Sequence, residues 1–276
     1  KYLNSNLNKI ITDLDIFFEI KKNSTIISIT GTNGKSTTCK IIEKILKTAK
    51  IKVKAIGNIG IPILSTLKEK KKTIYVIEVS SYQLQYSKLF RSNHAAILNI
   101  SADHLDRHKN IQNYINVKSK IFLAQEKSDF SYLNEKNKSS KIIKKIIKKN
   151  KIKSKLIIFN KLNYNLLLSK VHNNYFKSKG NIENLIFAYQ ITRNLNIKEK
   201  IIIKALNKFK GLPHRQEIIL SNKKLLCIND SKATSFDASL QSLSDNNEIY
   251  WIVGGIPKYK DYFYLKSVKK KIIKAY

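Results

Sequence analysis

The sequence lacks methionine altogether and contains little cysteine. With no methionine among its 276 residues, it has no initiator, and we expect it to be a fragment of a longer protein. Its two cysteines, Cys39 and Cys227, lie far apart and do not have the spacing of metal ligands. They are therefore predicted to be free thiols in a reducing compartment.

Long apolar runs are also absent. No stretch approaches the ~20 consecutive apolar residues that a membrane-spanning helix requires. The early apolar segment Ile10–Ile20 contains three acidic residues, which argues against a secretory signal. We therefore expect a cytoplasmic protein with no membrane partner.

Acidic residues are few: 19 Asp and Glu stand against 53 Lys and Arg, a formal net charge of +34. This charge would suit binding to nucleic acid or to an anionic membrane. The excess, however, is nearly all lysine, spread along the chain with abundant isoleucine and asparagine, while glycine (8) and proline (3) are scarce. An A/T-rich genome produces this composition without any such partner, so we favour no nucleic-acid binding. In the stretch Lys138–Lys155, isoleucines at helical spacing indicate a solvated amphipathic helix.

Short apolar β-rich runs alternate with helical stretches, which predicts an α/β fold with a central, mostly parallel sheet flanked by helices. Predicted strands cover residues 25–30, 52–56, 73–79, 94–100, 155–159, 217–220, 225–229 and 249–253. Predicted helices cover residues 37–50, 111–125, 181–195 and 197–209, and another follows Thr234.

The segment Gly211-Leu212-Pro213 punctuates this pattern. We expect residues 1–22 to be the tail of an N-terminal domain with its linker and residues 23–211 to be a central domain. Residues 212–276 would begin a second, Rossmann-like α/β domain that is truncated.

A candidate phosphate loop, Gly31-Thr32-Asn33-Gly34-Lys35-Ser36-Thr37, lies between a predicted strand and a predicted helix. Such a turn directs backbone N–H groups and the positive end of the helix dipole at an anion. The lysine can reach the β- and γ-phosphates, and the serine hydroxyl can contact Mg²⁺. The spacing is a shortened form of the common phosphate-loop motif, because Ile29 occupies the place of its first glycine.

Five further motifs follow the loop: Gly57-Asn58-Ile59-Gly60, Glu78-Val79-Ser80-Ser81-Tyr82-Gln83-Leu84, Asn99-Ile100-Ser101-Ala102-Asp103-His104-Leu105-Asp106-Arg107-His108, Gly211-Leu212-Pro213-His214-Arg215 and Asn229-Asp230-Ser231-Lys232-Ala233-Thr234. Together with the loop they resemble the Mur ligase family, which includes the folylpolyglutamate synthetases. Their order and spacing are similar to those of the members that add D-glutamate to UDP-N-acetylmuramoyl-L-alanine. The resemblance extends from about Ile10 to Lys260.

The resemblance implies an ATP-dependent, ADP-forming ligase of peptidoglycan synthesis, with UDP-N-acetylmuramoyl-L-alanine, D-glutamate and ATP as small-molecule substrates, acting as a monomer. In this chemistry a substrate carboxylate attacks the γ-phosphate of ATP, and the amine then attacks the resulting acyl phosphate. Charge develops on phosphoryl oxygens, so the site must supply cations and positioning.

The resemblance also implies the catalytic residues Lys35, Glu78, His104 and Lys118, and two Mg²⁺ sites. Ser36 and Glu78, with the β- and γ-phosphates, would bind the first Mg²⁺. Glu78 also ends a predicted strand, where doubly wound sheets place ligand residues, and its hard carboxylate suits this metal. His104 would bind the second Mg²⁺.

Lys118 aligns with a family lysine that CO₂ carbamylates, a change that would make it an anionic oxygen ligand beside the metal. The nearby Lys120 is the competing candidate. Tyr114 lies four residues before Lys118, as in the family pattern, and this favours Lys118.

The remaining site residues are likewise implied by the family pattern. Those expected to bind ATP are Gly31, Thr32, Asn33, Gly34, Lys35, Ser36, Thr37, Asn181, Asn184, Arg215, Asp230 and Lys232. Those expected to contact the other substrates are Asn58, Ser80, Ser81, Thr234 and Lys258. The chain departs from the pattern at Ser178 and Gly180, where the family has Gly and His, and at Ser235, where it has Asn.

Three alternatives stay open at this point. The chain could belong to a related amide ligase with another amino-acid substrate, although the residues after Glu78 and around Arg215 count against this. It could be a non-catalytic ATP-binding fragment, because a chain truncated in this way is expected to bind ATP or ADP weakly without ligase turnover. It could also be a basic, nucleic-acid-binding phosphate-loop protein, although the sequence has no recognisable nucleic-acid motif.

Overall fold

The computed structural model of the chain describes residues 6, 9–69, 72–256 and 265–276. Its strands are β1 Ile26–Thr30, β2 Val53–Gly57, β3 Ile74–Glu78, β4 His94–Ile97, β5 Phe130–Asn134, β6 Lys155–Phe159, β7 Glu217–Ser221, β8 Leu226–Asn229, β9 Ile249–Trp251 and β10 Ile272–Ala275. Its α-helices are α1 Asp13–Lys21, α2 Lys35–Thr48, α3 Ser81–Tyr86, α4 Leu105–His108, α5 Ile111–Ser119, α6 Ser140–Lys149, α7 Asn165–Ser169, α8 Lys179–Asn194, α9 Glu199–Asn207 and α10 Phe236–Asp245. Short 3₁₀ turns occur at Ile63–Thr66, Lys120–Phe122, Lys161–Tyr164, Asn174–Lys177, Leu265–Ser267 and Lys269–Lys271.

The first six strands form one parallel sheet in the order β2-β3-β1-β4-β5-β6. In the register of the middle strand, Ile29 lies opposite Glu78 of β3, and Thr30 lies opposite Ile97 of β4. The chain runs from β1 out to β2, returns through β3 and then continues on the other side of β1. Ligands of open α/β sheets bind outside the carboxyl ends of the strands where the strand order reverses in this way.

The sheet is covered on both faces because its strands alternate between two apolar cores. Ile27 and Ile29 of β1 pack in a cluster with α2, α8 and α9, whereas Ile26 packs in a second cluster that includes Leu14 and Phe17 of α1. Successive strand residues point to opposite faces, so one five-residue strand serves both cores. This confirms the predicted helix-flanked parallel sheet.

The predicted elements of the central region are confirmed with small errors at their ends. The predicted strand 94–100 ends at Ile97, and the predicted helix 111–125 ends at Ser119 before a 3₁₀ turn. The amphipathic helix expected in Lys138–Lys155 is α6. Strand β5 was not predicted, because its buried polar residues Ser131 and Asn134 disguise it. Buried Ser131 is hydrogen-bonded, since its Oγ donates to Gln125 Oε1 at 2.6 Å.

After Gly211 the chain forms smaller units. Strands β7 and β8 make an antiparallel pair, and β9 and β10 make a parallel pair. Both cysteines are free thiols, as predicted, with Cys39 buried in α2. Among the described residues, no helix has the length and apolarity needed to cross a membrane.

Candidate functional site

The phosphate loop connects the carboxyl end of β1 to the first turn of α2. Gly34 directly precedes α2 and has a φ of 85°, a left-handed conformation that favours glycine. A Cβ at this position would lie 2.2 Å from Asn184 Oδ1. The loop therefore requires a glycine both for its backbone conformation and for the close approach of α8.

Asn99, just beyond β4, holds the loop from the side. Its Oδ1 accepts from Asn33 N at 2.8 Å, its Nδ2 donates to Asn33 O at 3.1 Å, and its carbonyl accepts from Thr32 N at 2.9 Å. Asn99 begins one of the five motifs that follow the loop, but the sequence alone indicated no role for it. Its position at a strand end beside the loop strand is the signal that could have identified it.

The loop lysine lies over its own loop. Lys35 Nζ donates to Gly31 O at 3.0 Å and to Thr32 O at 2.7 Å. Burial lowers the pKa of Lys35, and the nearby carboxylates of Glu78 and Asp103 oppose this shift. The ammonium thus lies among backbone carbonyls and carboxylates, where an anionic ligand would compete for it.

A buried carboxylate brings predicted residues from distant parts of the chain together. Glu78 Oε2 accepts from Ser36 Oγ at 2.7 Å, and its Oε1 accepts from Asn58 Nδ2 at 3.1 Å. Arg215 Nη2 also donates to Ser36 Oγ, at 3.1 Å. The hydroxyl and carboxylate oxygens at this point are the hard ligands that Mg²⁺ prefers.

No group of three or more His, Cys, Asp or Glu side chains that could hold a metal ion exists in the described parts of the chain. A metal here would need oxygens from other sources as well. Magnesium is usually held in this way, by one or two carboxylates together with substrate phosphates and water. The oxygens of Ser36 and Glu78 beside a phosphate loop fit such a partial site.

Lys118 lies beneath the loop and is 1% exposed. Its Nζ donates to Gly31 O at 2.9 Å and to Thr30 Oγ1 at 3.2 Å, and lies 4.7 Å from the centre of the Tyr114 ring. Burial, and then the charge of Lys35, lower the pKa of Lys118 well below its ordinary value. Both effects act against the charged form of this amine.

The competing lysine lies elsewhere. Lys120 Nζ donates to the carbonyl of Gln85 at 2.7 Å. Its ammonium is thus fixed at the end of α3, whereas Lys118 contacts the phosphate-loop strand. Of the two lysines, Lys118 is the one that contacts the phosphate-loop strand, and its carbamylation stays a prediction.

His104 lines a cleft that also contains the phosphate loop, Glu78 and Arg215. Its backbone adopts a left-handed conformation with a φ of 54°. Its Nδ1 is 3.3 Å from the hydroxyl of Tyr82, and its Nε2 is 3.5 Å from Asp103 Oδ2. The segment after β4 thus places the imidazole in the cleft, which Glu78 at the end of β3 also lines.

The two serines expected to contact substrate make contacts within the protein. Ser80 caps α3, and its Oγ accepts from Gln83 N at 3.2 Å. Ser81 is buried, and its Oγ lies 3.0 Å from His108 Nε2. Their roles toward a substrate stay predictions.

The cleft extends from the phosphate loop to the region after Gly211 and has a volume of about 710 Å³. It is lined by most of the predicted ligand residues, which are Thr32, Asn33, Gly34, Lys35, Ser36, Thr37, Asn58, Glu78, His104, Asn181, Asn184, Arg215, Asp230, Lys232 and Thr234. Lys258 lies outside the described residues. The fold thus brings together positions that are about 200 residues apart in sequence.

On the far side of the cleft, asparagines connect α8 to its neighbours. Asn184 Oδ1 accepts from Thr38 Oγ1 at 3.2 Å, and Asn181 Nδ2 donates to Gln216 Oε1 at 3.3 Å. Asp230 accepts from Gln216 N at 3.1 Å, and burial raises the pKa of its carboxyl group. The contact between Asn181 and Gln216 connects α8 to the region after Gly211.

Comparisons with known proteins identify the family of the chain. The sequence profile of the Mur ligase middle domain matches residues 29–205. The UDP-N-acetylmuramoylalanine–D-glutamate ligase of Rickettsia felis is 36% identical over 282 residues, which cover 97% of this chain and 62% of that protein. The ligase of the same name from Clostridioides difficile is 32% identical over 286 residues, covering 96% of this chain and 62% of that protein. The chain thus spans about three-fifths of the length of these relatives.

Solved structures share the fold. MurF from Acinetobacter baumannii superposes with a TM-score of 0.71 at 18% identity, covering 88% of this chain and 59% of that protein. The MurF ligase from Thermotoga maritima, solved in complex with ADP, gives a TM-score of 0.70 at 16% identity, covering 98% of this chain and 74% of that protein. Because the family profile matches well over half of the sequence, the chain belongs to the Mur ligase family.

Proposed function

We propose that this chain forms the ATP-handling part of a ligase that joins D-glutamate to UDP-N-acetylmuramoyl-L-alanine in peptidoglycan synthesis. The names of the similar Rickettsia and Clostridioides proteins support the substrates. The contact of Glu78 and Arg215 with Ser36 at the phosphate loop is the observation that carries the proposal. It unites, within hydrogen-bond distance, the hard oxygens and the cation that phosphoryl transfer requires.

The proposed reaction has two steps. A carboxylate oxygen of the muramoyl-alanine substrate forms a bond to the γ-phosphorus of ATP, the bond between that phosphorus and the β–γ bridging oxygen breaks, and ADP leaves. The D-glutamate amine then attacks the acyl carbon, phosphate departs with the acyl oxygen, and the amine nitrogen loses a proton. The chain's own contribution is to position the phosphates and to offset their charge.

Lys35 and Arg215 are the cations proposed to do this. Lys35 would exchange its contacts to the loop carbonyls for oxygens of the β- and γ-phosphates. Arg215 already points to Ser36 and would lie beside the transferred phosphoryl group. Positive charges at these positions would stabilise the negative charge that develops on the phosphoryl oxygens.

Ser36 and Glu78 are proposed to hold one Mg²⁺, and His104 a second one, near the acyl group. Bound Mg²⁺ would neutralise negative charge on the phosphate oxygens. Lys118 is proposed to carry a carbamate, formed when its amine nitrogen attacks CO₂ and loses a proton. Burial supports this, because it favours the neutral amine that reacts with CO₂.

The other predicted contacts follow from the same proposal. Residues 31–37, with the side chains Asn181, Asn184, Asp230 and Lys232, would bind ATP. The residues toward the other substrates would be Asn58, Ser80, Ser81, Thr234 and Lys258. We also propose the division into residues 1–22, 23–211 and 212–276, of which the central part would bind ATP. A monomeric state, a cytoplasmic location and the lack of a nucleic-acid partner stay predictions.

Binding of a fluorescent ATP analogue with Mg²⁺ tests the nucleotide site directly. Lys35→Ala and Glu78→Gln should each raise the Kd at least tenfold, about 1.4 kcal/mol or more. The exposed Lys52→Ala is the matched control for loss of one positive charge and should leave the Kd unchanged. Equal Kd values for Lys35→Ala and Lys52→Ala would rule out the loop as the phosphate site.

Release of ADP tests the ligase assignment. Release of more than one ADP per active site should require both UDP-N-acetylmuramoyl-L-alanine and D-glutamate, because the first step alone forms a single ADP and an acyl phosphate. L-Glutamate should not replace D-glutamate. ATP binding without substrate-dependent ADP release would instead favour a non-catalytic ATP-binding chain. Release with a different amino acid would favour a related amide ligase.

A further inference from the structure

Tyr175 is a cleft residue to which sequence reasoning gave no role. It lies in the 3₁₀ turn Asn174–Lys177, and its side chain lines the cleft beside the phosphate loop. Its ring packs against Gly211, which has a φ of 80°. A Cβ added to Gly211 would lie 2.5 Å from Tyr175 Cε2 and 2.9 Å from Cδ2. The tyrosine ring thus fills the space that any side chain at position 211 would need.

The same residue contacts both sides of the cleft. Its hydroxyl lies near Thr37 in the first turn of α2. Its carbonyl accepts from Asn181 Nδ2 at 3.0 Å, and Asn181 also donates to Gln216 beyond Gly211. Its ring meets Phe209 edge-on, with 5.4 Å between ring centres. The side chain of Tyr175 therefore lies between the first turn of α2 and Gly211, where the chain leaves the central region.

The segment after Gly211 is itself constrained. His214 and Gln216 adopt left-handed conformations, with φ values of 62° and 50°. Glu217 Oε2 accepts from His214 N at 2.8 Å, and Asp230 accepts from Gln216 N. These hydrogen bonds fix the segment on the side away from Gly211. The placement of Arg215 therefore depends on the backbone direction at Gly211. Tyr175 is the side chain packed against that glycine.

We propose that Tyr175 is a positioning residue that fixes the backbone at Gly211 so that Arg215 reaches Ser36, and so couples nucleotide binding at the phosphate loop to the placement of the region after Gly211. The nucleotide part of this inference rests on the proposed function. The positioning part does not, because it concerns contacts within the chain alone.

A distance measurement tests the positioning part. Cys227 of β8 is partly exposed, whereas Cys39 is fully buried. A spin label on Cys227 can therefore be paired with a second label on Lys145→Cys, at an exposed position of α6. We expect one narrow distance distribution for the parent chain and a clearly broader one for Tyr175→Ala. Tyr164→Ala, which removes another half-buried tyrosine away from the cleft, should leave the distribution narrow at a similar loss of thermal stability.

Nucleotide affinity tests the coupling. Tyr175→Ala should raise the Kd of the fluorescent ATP analogue at least fivefold. Tyr175→Phe keeps the ring and loses only the hydroxyl near Thr37, so it should raise the Kd no more than about twofold and restore the narrow distance distribution. Tyr164→Ala should not change the Kd.

A double-mutant cycle examines the contact itself. Gly211→Ala should weaken ATP binding, because its Cβ meets the tyrosine ring. The same change should have a smaller effect in the Tyr175→Ala background, where the ring is gone. Additive effects of the two substitutions on Kd would count against direct coupling.

The outcomes separate the two proposals. If the parent chain binds no ATP analogue while Tyr175→Ala still broadens the distances, the proposed function fails and the positioning role stands. If the parent chain binds the analogue and Tyr175→Ala matches it in both Kd and distance distribution, the positioning role is overturned.

Discussion

The strands of the central sheet and those after Gly211 have similar sequences but different environments. All five residues of β1 are buried. In β7, by contrast, Ile218 is 50% exposed and Ile219 is 66% exposed. Both segments are rich in isoleucine, so composition alone does not distinguish them.

The difference lies in what covers each strand. Strand β1 has a partner on either side and helices on both faces, whereas β7 pairs with β8 in a two-stranded sheet. An apolar, β-branched sequence favours an extended backbone in both places. Burial, and the stability that it contributes, requires further layers of structure. The comparison therefore predicts that equal substitutions will have unequal effects.

The largest effect is expected for isoleucine truncation in the central sheet. Ile29→Ala should lower the free energy of unfolding by about 3–4 kcal/mol, because it leaves a cavity in a fully buried core. Ile219→Ala is the matched change on the exposed strand and should change it by less than about 0.5 kcal/mol. Chemical denaturation measures both, and similar losses for the two variants would remove the contrast between the regions.

A smaller effect is expected from pH, again in the central sheet. His94 begins β4, as predicted from the sequence, and its Nδ1 lies 2.8 Å from the buried Tyr132 hydroxyl. Burial lowers the pKa of His94 from 6.5 to about 4, opposed by the charge of Asp129. Its stabilising contribution is therefore complete above pH 6.5 and is lost as the pH falls toward 4, because the unfolded chain takes up the proton first.

The loss should be about 1.4 kcal/mol per pH unit and about 3 kcal/mol in total. His94→Gln should flatten this part of the profile of unfolding free energy against pH. His172→Gln changes an exposed histidine and should leave the profile unchanged. If the slopes for the parent chain and His94→Gln agree between pH 4 and 6.5, His94 is not the titrating group.

The smallest effect is expected in the region after Gly211, at the start of α10. Ser235 Oγ accepts from Ala238 N at 3.3 Å and caps this helix. Ser235→Ala should cost about 1 kcal/mol by leaving that N–H without its cap. Ser239→Ala, inside the same helix, should cost less, since alanine is the better helix former. A larger loss for Ser239→Ala, measured by thermal unfolding, would contradict the capping role.

Much of the fold could be predicted because its signals are local. The short apolar runs of β1 and β3 and the helical spacing of Ile41, Ile42 and Ile45 in α2 needed no tertiary information. Strand β5 was missed because the hydroxyl of its buried Ser131 is satisfied by Gln125 and Ser154, which only the folded chain brings beside it. Helix ends were less accurate, since the 3₁₀ turn after α5 has no distinct sequence signal.

The residues of the candidate site also fall into two groups, those that local motifs identify and those that only the folded chain identifies. Motif residues such as Ser36, Glu78 and Arg215 could be named from the sequence, and the fold brings them within hydrogen-bond distance. Asn99 and Tyr175 received no role, because their importance lies in contacts with the loop and with Gly211. These contacts depend on the order of the strands and on the path of the chain at Gly211.

The sequence by itself determined that a glycine-rich turn follows an apolar strand and starts a helix, and that the chain carries the motifs of one ligase family. These are local properties of spacing and side-chain chemistry. Tertiary structure decided that Lys118 rather than Lys120 contacts the loop strand, and that Arg215 reaches Ser36. Those choices depend on distances between segments far apart in the chain, which are fixed only when the parallel sheet and its covering helices pack.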